Sequence, residues 1–233
     1  MPDTPLGSAT GDTIVSTDRM GMTPGAHTRP DTGMATSTVA PAAPVIADPG
    51  PLGLAGFAMT TMVLSVFNAN IISDAKLEAV VLPLALFYGG LVQLLAGMWE
   101  FRKGNTFGAT AFSSFGAFWL SFAAYVKFVV PDLPTATEYK ATGLFLLAWA
   151  IFTAYMLLAS LRTTGAIAMV FLTLTATYVL LCIGAFDQNT TVTHAGGIVG
   201  LVTAGFAWYA SFAVVTNETW KRTVLPTFPL RAR

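Results

Sequence analysis

Six long apolar runs constrain the fold of this 233-residue chain more than any other feature of its sequence. They lie at about 51–72, 77–99, 106–130, 140–161, 165–186 and 195–216, and each has the roughly 20 residues that an α-helix needs to cross a bilayer. The runs do not alternate with a period of two, as the strands of a membrane β-barrel would. Short polar breaks separate the runs, so consecutive helices must lie antiparallel. The sequence predicts an all-α integral membrane protein with six transmembrane helices.

The composition agrees with a membrane protein and excludes several other classes. Hydrophobic residues make up 54% of the chain and charged residues 10%, whereas a soluble domain carries about 25% charged residues. The formal net charge is zero, so no basic excess is present to bind a nucleic-acid backbone. One cysteine and two histidines exclude an intrachain disulfide and a Cys- or His-rich metal site. We expect no metal, no cofactor and no nucleic-acid partner.

Polar segments flank the apolar runs. Residues 1–48 are rich in Thr, Pro, Ala, Gly, Ser and Asp, and such a segment buries too little surface to offset the entropy of ordering. We expect a disordered tail at 1–48, a membrane domain at 49–217 and a C-terminal tail at 218–233. Six spans place both termini on one side. Lys and Arg residues are more frequent in the loops and ends of that side, which predicts cytoplasmic termini.

Ionisable residues avoid the middle of every span. They occur at span ends and in the breaks, which leaves no evident acid–base centre or buried proton relay within the membrane. This pattern argues against an enzyme and favours conduction of a small solute. Glu100, at the end of the second span, is expected to form an interfacial salt bridge or to link helices, with Arg102 or Lys103 as its partner.

The first span carries a polar stripe. Thr61, Ser65 and Asn68 recur on one face of a 3.6-residue helix, and Thr60 lies beside them. Such a stripe either joins helices through hydrogen bonds or lines a wet path. The spacing favours neither interpretation over the other.

The second and third spans leave similar alternatives open. Gln93 follows Tyr88 on a helix with closely spaced glycines, and its amide either bonds to another helix or faces a pore. Ser114 shares a face of the third span with Phe118 and Tyr125. That face either packs as an aromatic core or forms a narrow, partly dewetted constriction.

Several motifs occur along the chain in a characteristic order. They are Pro49-Gly50-Pro51-Leu52-Gly53-Leu54, Gly56-Phe57, Phe87-Tyr88-Gly89-Gly90, Gly104-Asn105-Thr106-Phe107-Gly108 and His194-Ala195-Gly196-Gly197. Across about residues 48–227 the sequence resembles the acetate uptake transporters. This family contains the succinate–acetate permeases of bacteria and related acetate and ammonia-export proteins of fungi.

The resemblance implies six transmembrane helices, a homohexamer in the plasma membrane and a solute path inside each protomer. It implies acetate and related small carboxylates as substrates, with succinate in some members of the family. It also implies a hydrophobic constriction formed by Phe57, Phe115 and Leu174. The family usually has Tyr at the position of Phe115 and Asn at the position of Asp48.

These observations together predict a membrane carrier or channel in which a carboxylate crosses a polar path and then an apolar ring. The predicted path consists of Thr60, Thr61, Ser65, Asn68, Gln93, Tyr88 and Ser114. Charge-free spans suit movement of the neutral acid or of the anion together with a proton. Two alternatives remain: a facilitator of a small neutral solute such as ammonia or urea, and a membrane scaffold or sensor that transports nothing.

Overall fold

The computed structural model describes residues 46–74 and 76–230. Within these ranges, six helices are long and apolar enough to cross a membrane. They are α1 (Gly50–Asn68), α2 (Leu77–Lys103), α3 (Thr106–Asp132), α4 (Glu138–Ser160), α5 (Gly165–Phe186) and α6 (Thr190–Trp220). The prediction of an all-α protein with six spans is confirmed. The disordered tail predicted at 1–48 falls outside the described residues except at its last three positions.

Local sequence signals explain several helix ends. Two prolines flank the first residue of α1, where a missing backbone N–H costs nothing. The Asn105 side chain accepts a hydrogen bond from the backbone N–H of Gly108 at 3.2 Å, which caps the start of α3. Gly104, with a φ of 78°, ends α2 in the left-handed conformation that glycine adopts without strain.

Two helix boundaries differ from the sequence prediction. Helix α1 ends at Asn68 and not near residue 72, because the backbone reverses at Asn70, which has a φ of 56°. Helix α6 begins at Thr190 and not near residue 195, because the Asn189 side chain accepts a hydrogen bond from Val192 N–H at 3.2 Å. His194 therefore lies inside the first turns of α6.

Helix α2 is irregular along its length. It starts with a 3₁₀ turn at Leu77–Val80, continues as α-helix over Val81–Leu86, widens into a π-helical segment at Phe87–Val92 and returns to α-helix at Gln93–Lys103. A π-helical segment rotates the residues that follow it around the helix axis. The segment therefore helps to set the face on which Gln93 and the last turns of α2 lie.

Small residues bring the helices into close contact. A Cβ atom added to Gly197 of α6 would overlap the backbone of Ala69 just after α1, and one added to Gly116 of α3 would lie 2.6 Å from the backbone nitrogen of Leu94 in α2. Such glycines let helix backbones approach each other in a membrane. The glycine face of α6 thus packs within the chain against α1. Large apolar side chains cover the outer faces of all six helices.

The chain after α6 folds back against the turn between α4 and α5. The Asn217 side chain accepts hydrogen bonds from the backbone N–H groups of Val224 and Leu225, at 2.7 and 3.0 Å. The backbone N–H of Gly165 donates to the carbonyl of Phe228. This segment, which the sequence predicts as a tail, holds the α4–α5 turn in place.

Candidate functional site

A cavity of about 440 Å³ lies at the end of the bundle where α1, α3 and α5 begin and where α2 and α6 end. Its wall consists of Asp48, Gly50, Pro51, Leu54 and Phe57 around α1; Gln93, Glu100 and Lys103 of α2; Asn105, Phe107, Gly108, Ala111, Phe112 and Phe115 around α3; Arg162, Thr163, Thr164, Ile167, Val170, Phe171 and Leu174 around α5; and Val214 of α6. The charged groups and the Asn105 amide lie where these helices begin or end, and the Gln93 amide and most of the aromatic and aliphatic groups lie deeper.

The three residues of the predicted constriction meet on the wall of this cavity. Phe57, Phe115 and Leu174 are each almost completely buried. Each lies two to three turns from the start of its helix, a rise of about 10 to 14 Å. A membrane core is about 30 Å thick, so an apolar layer at this depth would lie near the centre of a bilayer that the six helices span.

Aromatic contacts hold the Phe115 ring in this layer. Its centroid lies 5.7 Å from that of Phe57, 5.4 Å from that of Phe152 and 6.1 Å from that of Phe171. Tilted and edge-on pairs at such distances are favourable beyond their buried area. Residues from three other helices therefore fix the position of this ring at the inner end of the cavity.

Gln93 is the one member of the predicted polar path on the cavity wall. Its side chain is 1% exposed, and its Oε1 atom has no hydrogen-bond partner within the described part of the chain. A buried polar atom without a partner costs free energy. A water molecule or a solute in the cavity that donates a hydrogen bond would remove this cost.

The remaining six residues of the predicted path do not line this cavity. Thr60 donates a hydrogen bond to the Gly56 carbonyl at 2.9 Å, as membrane threonines often do within their own helix. Thr61 is buried, with no hydrogen-bond partner for its hydroxyl in the described chain, and Ser65 packs against Gly200 of α6. Partly buried positions are occupied by Asn68, Tyr88 and Ser114.

The polar stripe of α1 continues beyond Phe57 toward the other end of the bundle. There Ser65 lies near Thr177 of α5, because a Cβ atom added to Gly200 would touch both side chains. The Thr177 and Thr203 hydroxyls are 3.3 Å apart and share a hydrogen bond. Sequence patterns do not predict this small polar group, since its members come from three helices that are distant in sequence.

The mouth of the cavity carries charge from three segments of the chain. Lys103 Nζ lies 2.8 Å from Asp48 Oδ1, and Arg162 lines the same cavity. The expected interfacial salt bridge of Glu100 is wrong, because its side chain is 1% exposed and Lys103 pairs with Asp48 instead. The alternative that Glu100 links helices agrees with the structure, in which its carboxyl group shares a hydrogen bond with the Asn105 side chain at the start of α3. The spacing contained a signal for this position, since Gln93 and Glu100 are two helical turns apart and share a face.

Six helices long and apolar enough to span a membrane, around a cavity that ends at an apolar layer, indicate an α-helical membrane transport protein. A family model described as "GPR1/FUN34/yaaH family" matches residues 32–232. The chain belongs to this family.

The chain is similar to proteins named for the transport of small solutes. It is 39% identical over 181 residues to the succinate-acetate/proton symporter SatP of Escherichia coli K12, covering 78% of this chain and 95% of the symporter. It is 44% identical over 180 residues to the ammonia transport outward protein 2 of Saccharomyces cerevisiae, covering 74% of this chain and 62% of that protein. This chain thus spans less than two thirds of the yeast relative.

A solved structure has the same fold. The structure of the bacterial acetate channel SatP superimposes with a TM-score of 0.73 and 38% sequence identity, covering 78% of this chain and 99% of that channel.

Proposed function

We propose that this protein transports acetate and related small carboxylates, succinate among them, across a membrane. The observation that carries the proposal is the cavity that passes from charged and amide groups at its mouth to Phe57, Phe115 and Leu174 at its inner end. The names of the bacterial symporter and of the solved acetate channel support the substrate class. Because those relatives are transporters or channels by name, we propose a transporter and not an enzyme.

The geometry suits a small molecule that is polar at one end and apolar at the other. The Gln93 amide offers a hydrogen-bonding group inside the cavity. The ring of Phe57, Phe115 and Leu174 excludes water, so a hydrated ion crosses it only at the cost of dehydration. A carboxylic acid that gains a proton loses its charge and crosses such a ring more easily. Thr60, Thr61, Ser65 and Asn68 would receive the solute beyond the ring.

We further propose a homohexamer in the plasma membrane, with both termini in the cytoplasm. The resemblance of the sequence motifs to the acetate uptake transporters supports the assembly and the location. The distribution of Lys and Arg between the loops supports the orientation. The exposed apolar faces of the helices would contact lipid and neighbouring protomers.

Export or uptake of ammonia is the second candidate function. It is favoured by the similarity to the yeast ammonia transport outward protein 2 and by the absence of charge at the apolar ring of the described chain. A neutral amine crosses such a ring without the dehydration cost of an ion.

Solute uptake into proteoliposomes would distinguish these functions. Purified protein is reconstituted, and uptake of labelled acetate, succinate and methylammonium is compared with uptake into protein-free liposomes, which corrects for passage of neutral acid or amine through the lipid. We expect protein-dependent acetate uptake that unlabelled acetate competes away. Uptake of methylammonium without acetate would favour the second function, and uptake of neither would refute both.

A further inference from the structure

Glu100 is a buried ionisable group in the cavity wall. It belongs neither to the apolar ring nor to the ion pair at the cavity mouth, so its role is not yet explained. Its side chain is 1% exposed and shares a hydrogen bond with the Asn105 side chain, whereas Oε2 has no hydrogen-bond partner within the described residues. A buried carboxylate with one unpartnered oxygen is costly, and a proton, an ion or a ligand normally compensates for the burial of such a group.

Two glycines from different helices hold the Glu100 carboxyl in place. A Cβ atom added to Gly108 of α3 would lie 2.8 Å from Glu100 Cδ, and one added to Gly50 of α1 would lie 3.4 Å from Glu100 Oε1. The Asn105 amide occupies the same side of Gly108. Since any larger residue at Gly108 would displace the carboxyl, the site is built around this one side chain.

The cavity wall that contains Glu100 also carries charged groups from neighbouring segments. Asp48 precedes α1, Lys103 lies one turn further on α2, and Arg162 lies in the turn before α5. Lys103 forms its ion pair with Asp48 at 2.8 Å, so its ammonium is shared with a second carboxylate. The side chain contributed to the cavity by α6, Val214, is apolar.

We infer that Glu100 binds the transported carboxylate through one shared proton. The inference rests on the proposed function, since it requires a carboxylate in the cavity. The protonated Glu100 oxygen donates a hydrogen bond to the carboxylate oxygen of the solute. The O–H bond of Glu100 then breaks and a new one forms on the solute, which leaves Glu100 as the anion and the solute as a neutral acid.

This proton transfer converts the solute into the neutral form that can cross the apolar ring. The neutral acid crosses Phe57, Phe115 and Leu174 without the dehydration cost of an anion. Glu100 regains its proton from water at the cavity mouth. One carboxylate and one proton therefore move together, and no further reactant is consumed. In the sequence Glu100 lies at the end of a span, so the sequence alone indicates no residue within the spans that could carry such a proton. In the structure Glu100 lies in the cavity wall.

Acetate binding between pH 6 and pH 8 would test the inference, because acetate is an anion throughout this range. Binding to purified detergent-solubilised protein is measured by calorimetry. For the unaltered protein we expect the acetate Kd at pH 8 to be at least fivefold weaker than at pH 6. Glu100→Gln keeps a neutral hydrogen-bond donor at every pH, so its Kd is expected to change less than twofold over this range. The control Glu78→Gln makes the same chemical change at the opposite end of α2, outside the cavity wall, and should behave as the unaltered protein does.

The outcomes separate the inference from the proposed function. An unchanged pH dependence in Glu100→Gln, or none in the unaltered protein that binds acetate, would overturn the inference and leave acetate transport intact. An unaltered protein that neither binds nor transports acetate would overturn both. If Glu100→Gln fails to fold, Glu100→Asp is measured in its place. This variant keeps a shorter carboxyl group, so it must bind acetate more weakly at pH 6 and keep the pH dependence. A pH-independent Kd for Glu100→Asp would overturn the inference.

Discussion

Phe115 is the residue on which the apolar layer is centred. Its ring contacts aromatic side chains of α1, α4 and α5, so a change in its polarity acts on the cavity without removing the packing. We expect Phe115→Tyr to assemble normally and to bind acetate with altered affinity, because the added hydroxyl can donate a hydrogen bond to a carboxylate. Acetate binding by calorimetry checks this, and an identical Kd would show that the ring edge faces away from the solute.

Leu174 closes the same layer with an aliphatic side chain that is 4% exposed. Leu174→Ala removes apolar volume at the ring, so we expect faster acetate flux and entry of larger carboxylates, at a stability cost of roughly 2–5 kcal/mol. Uptake of labelled acetate and butyrate into proteoliposomes measures both effects. Val179→Ala, at an exposed position of the same helix, serves as the control. A constriction elsewhere would be indicated by unchanged flux and selectivity in an assembled Leu174→Ala protein.

Variants at Gln93 and Asn68 test whether these two amides bind the solute or stabilise the fold. Because Gln93 Oε1 has no partner in the described chain, replacing this side chain with Leu removes little packing energy, about 1 kcal/mol or less for a membrane amide. We expect Gln93→Leu and Asn68→Leu to assemble, and both to take up acetate several-fold more slowly. Size-exclusion chromatography and proteoliposome uptake separate assembly from transport. Normal uptake, or loss of assembly, would assign the amide concerned to helix packing.

The helices differ in how far local sequence determines them. Span number, the turn at Gly104 and the caps at Asn105 and Asn189 follow from hydropathy and from residues within one turn of each helix end. The burial of Glu100 does not, because it depends on Gly50 and Gly108, which lie on other helices. The ion pair between Asp48 and Lys103 likewise joins segments that hydropathy treats separately.

Helices α2 and α3 pack closely at Gly116, so a larger side chain at this position should destabilise the protein. A Cβ atom at Gly116 would lie 2.6 Å from Leu94 N and 2.9 Å from Gly90 O, both backbone atoms of α2, whereas one at Gly205 of α6 would meet nothing within 4 Å. Gly116→Ala must therefore separate α2 from α3, and we expect a Tm in detergent lower by several degrees. The matched change Gly205→Ala should leave the Tm unchanged or slightly higher, since alanine favours a helix. Equal Tm values for the two variants would contradict the packing described for α2 and α3.

Charged, apolar and polar side chains follow one another along the long axis of the helix bundle. The cavity mouth, the segment after Trp220 and the start of α1 all lie at the same end of the bundle, while the turn between α5 and α6 lies at the opposite end. Between them, the layer around Phe115 separates the cavity from the Ser65, Thr177 and Thr203 group. A solute in the cavity is therefore open to the side on which α1 begins and α6 ends, and one apolar layer separates it from the other side.

This arrangement predicts the side from which the cavity is open. Thr163→Cys places a thiol in the cavity wall, and Asp187→Cys places one at an exposed position in the opposite turn; both are made in a Cys182→Ala background. With cytoplasmic termini, a membrane-impermeant maleimide should label Thr163→Cys in inside-out vesicles and Asp187→Cys in right-side-out vesicles. Acetate should slow labelling at Thr163→Cys severalfold and leave Asp187→Cys unaffected, because a bound solute shields the cavity wall alone. Labelling of the two positions from reversed sides would place the termini outside, and equal labelling with and without acetate would place the solute in another part of the molecule.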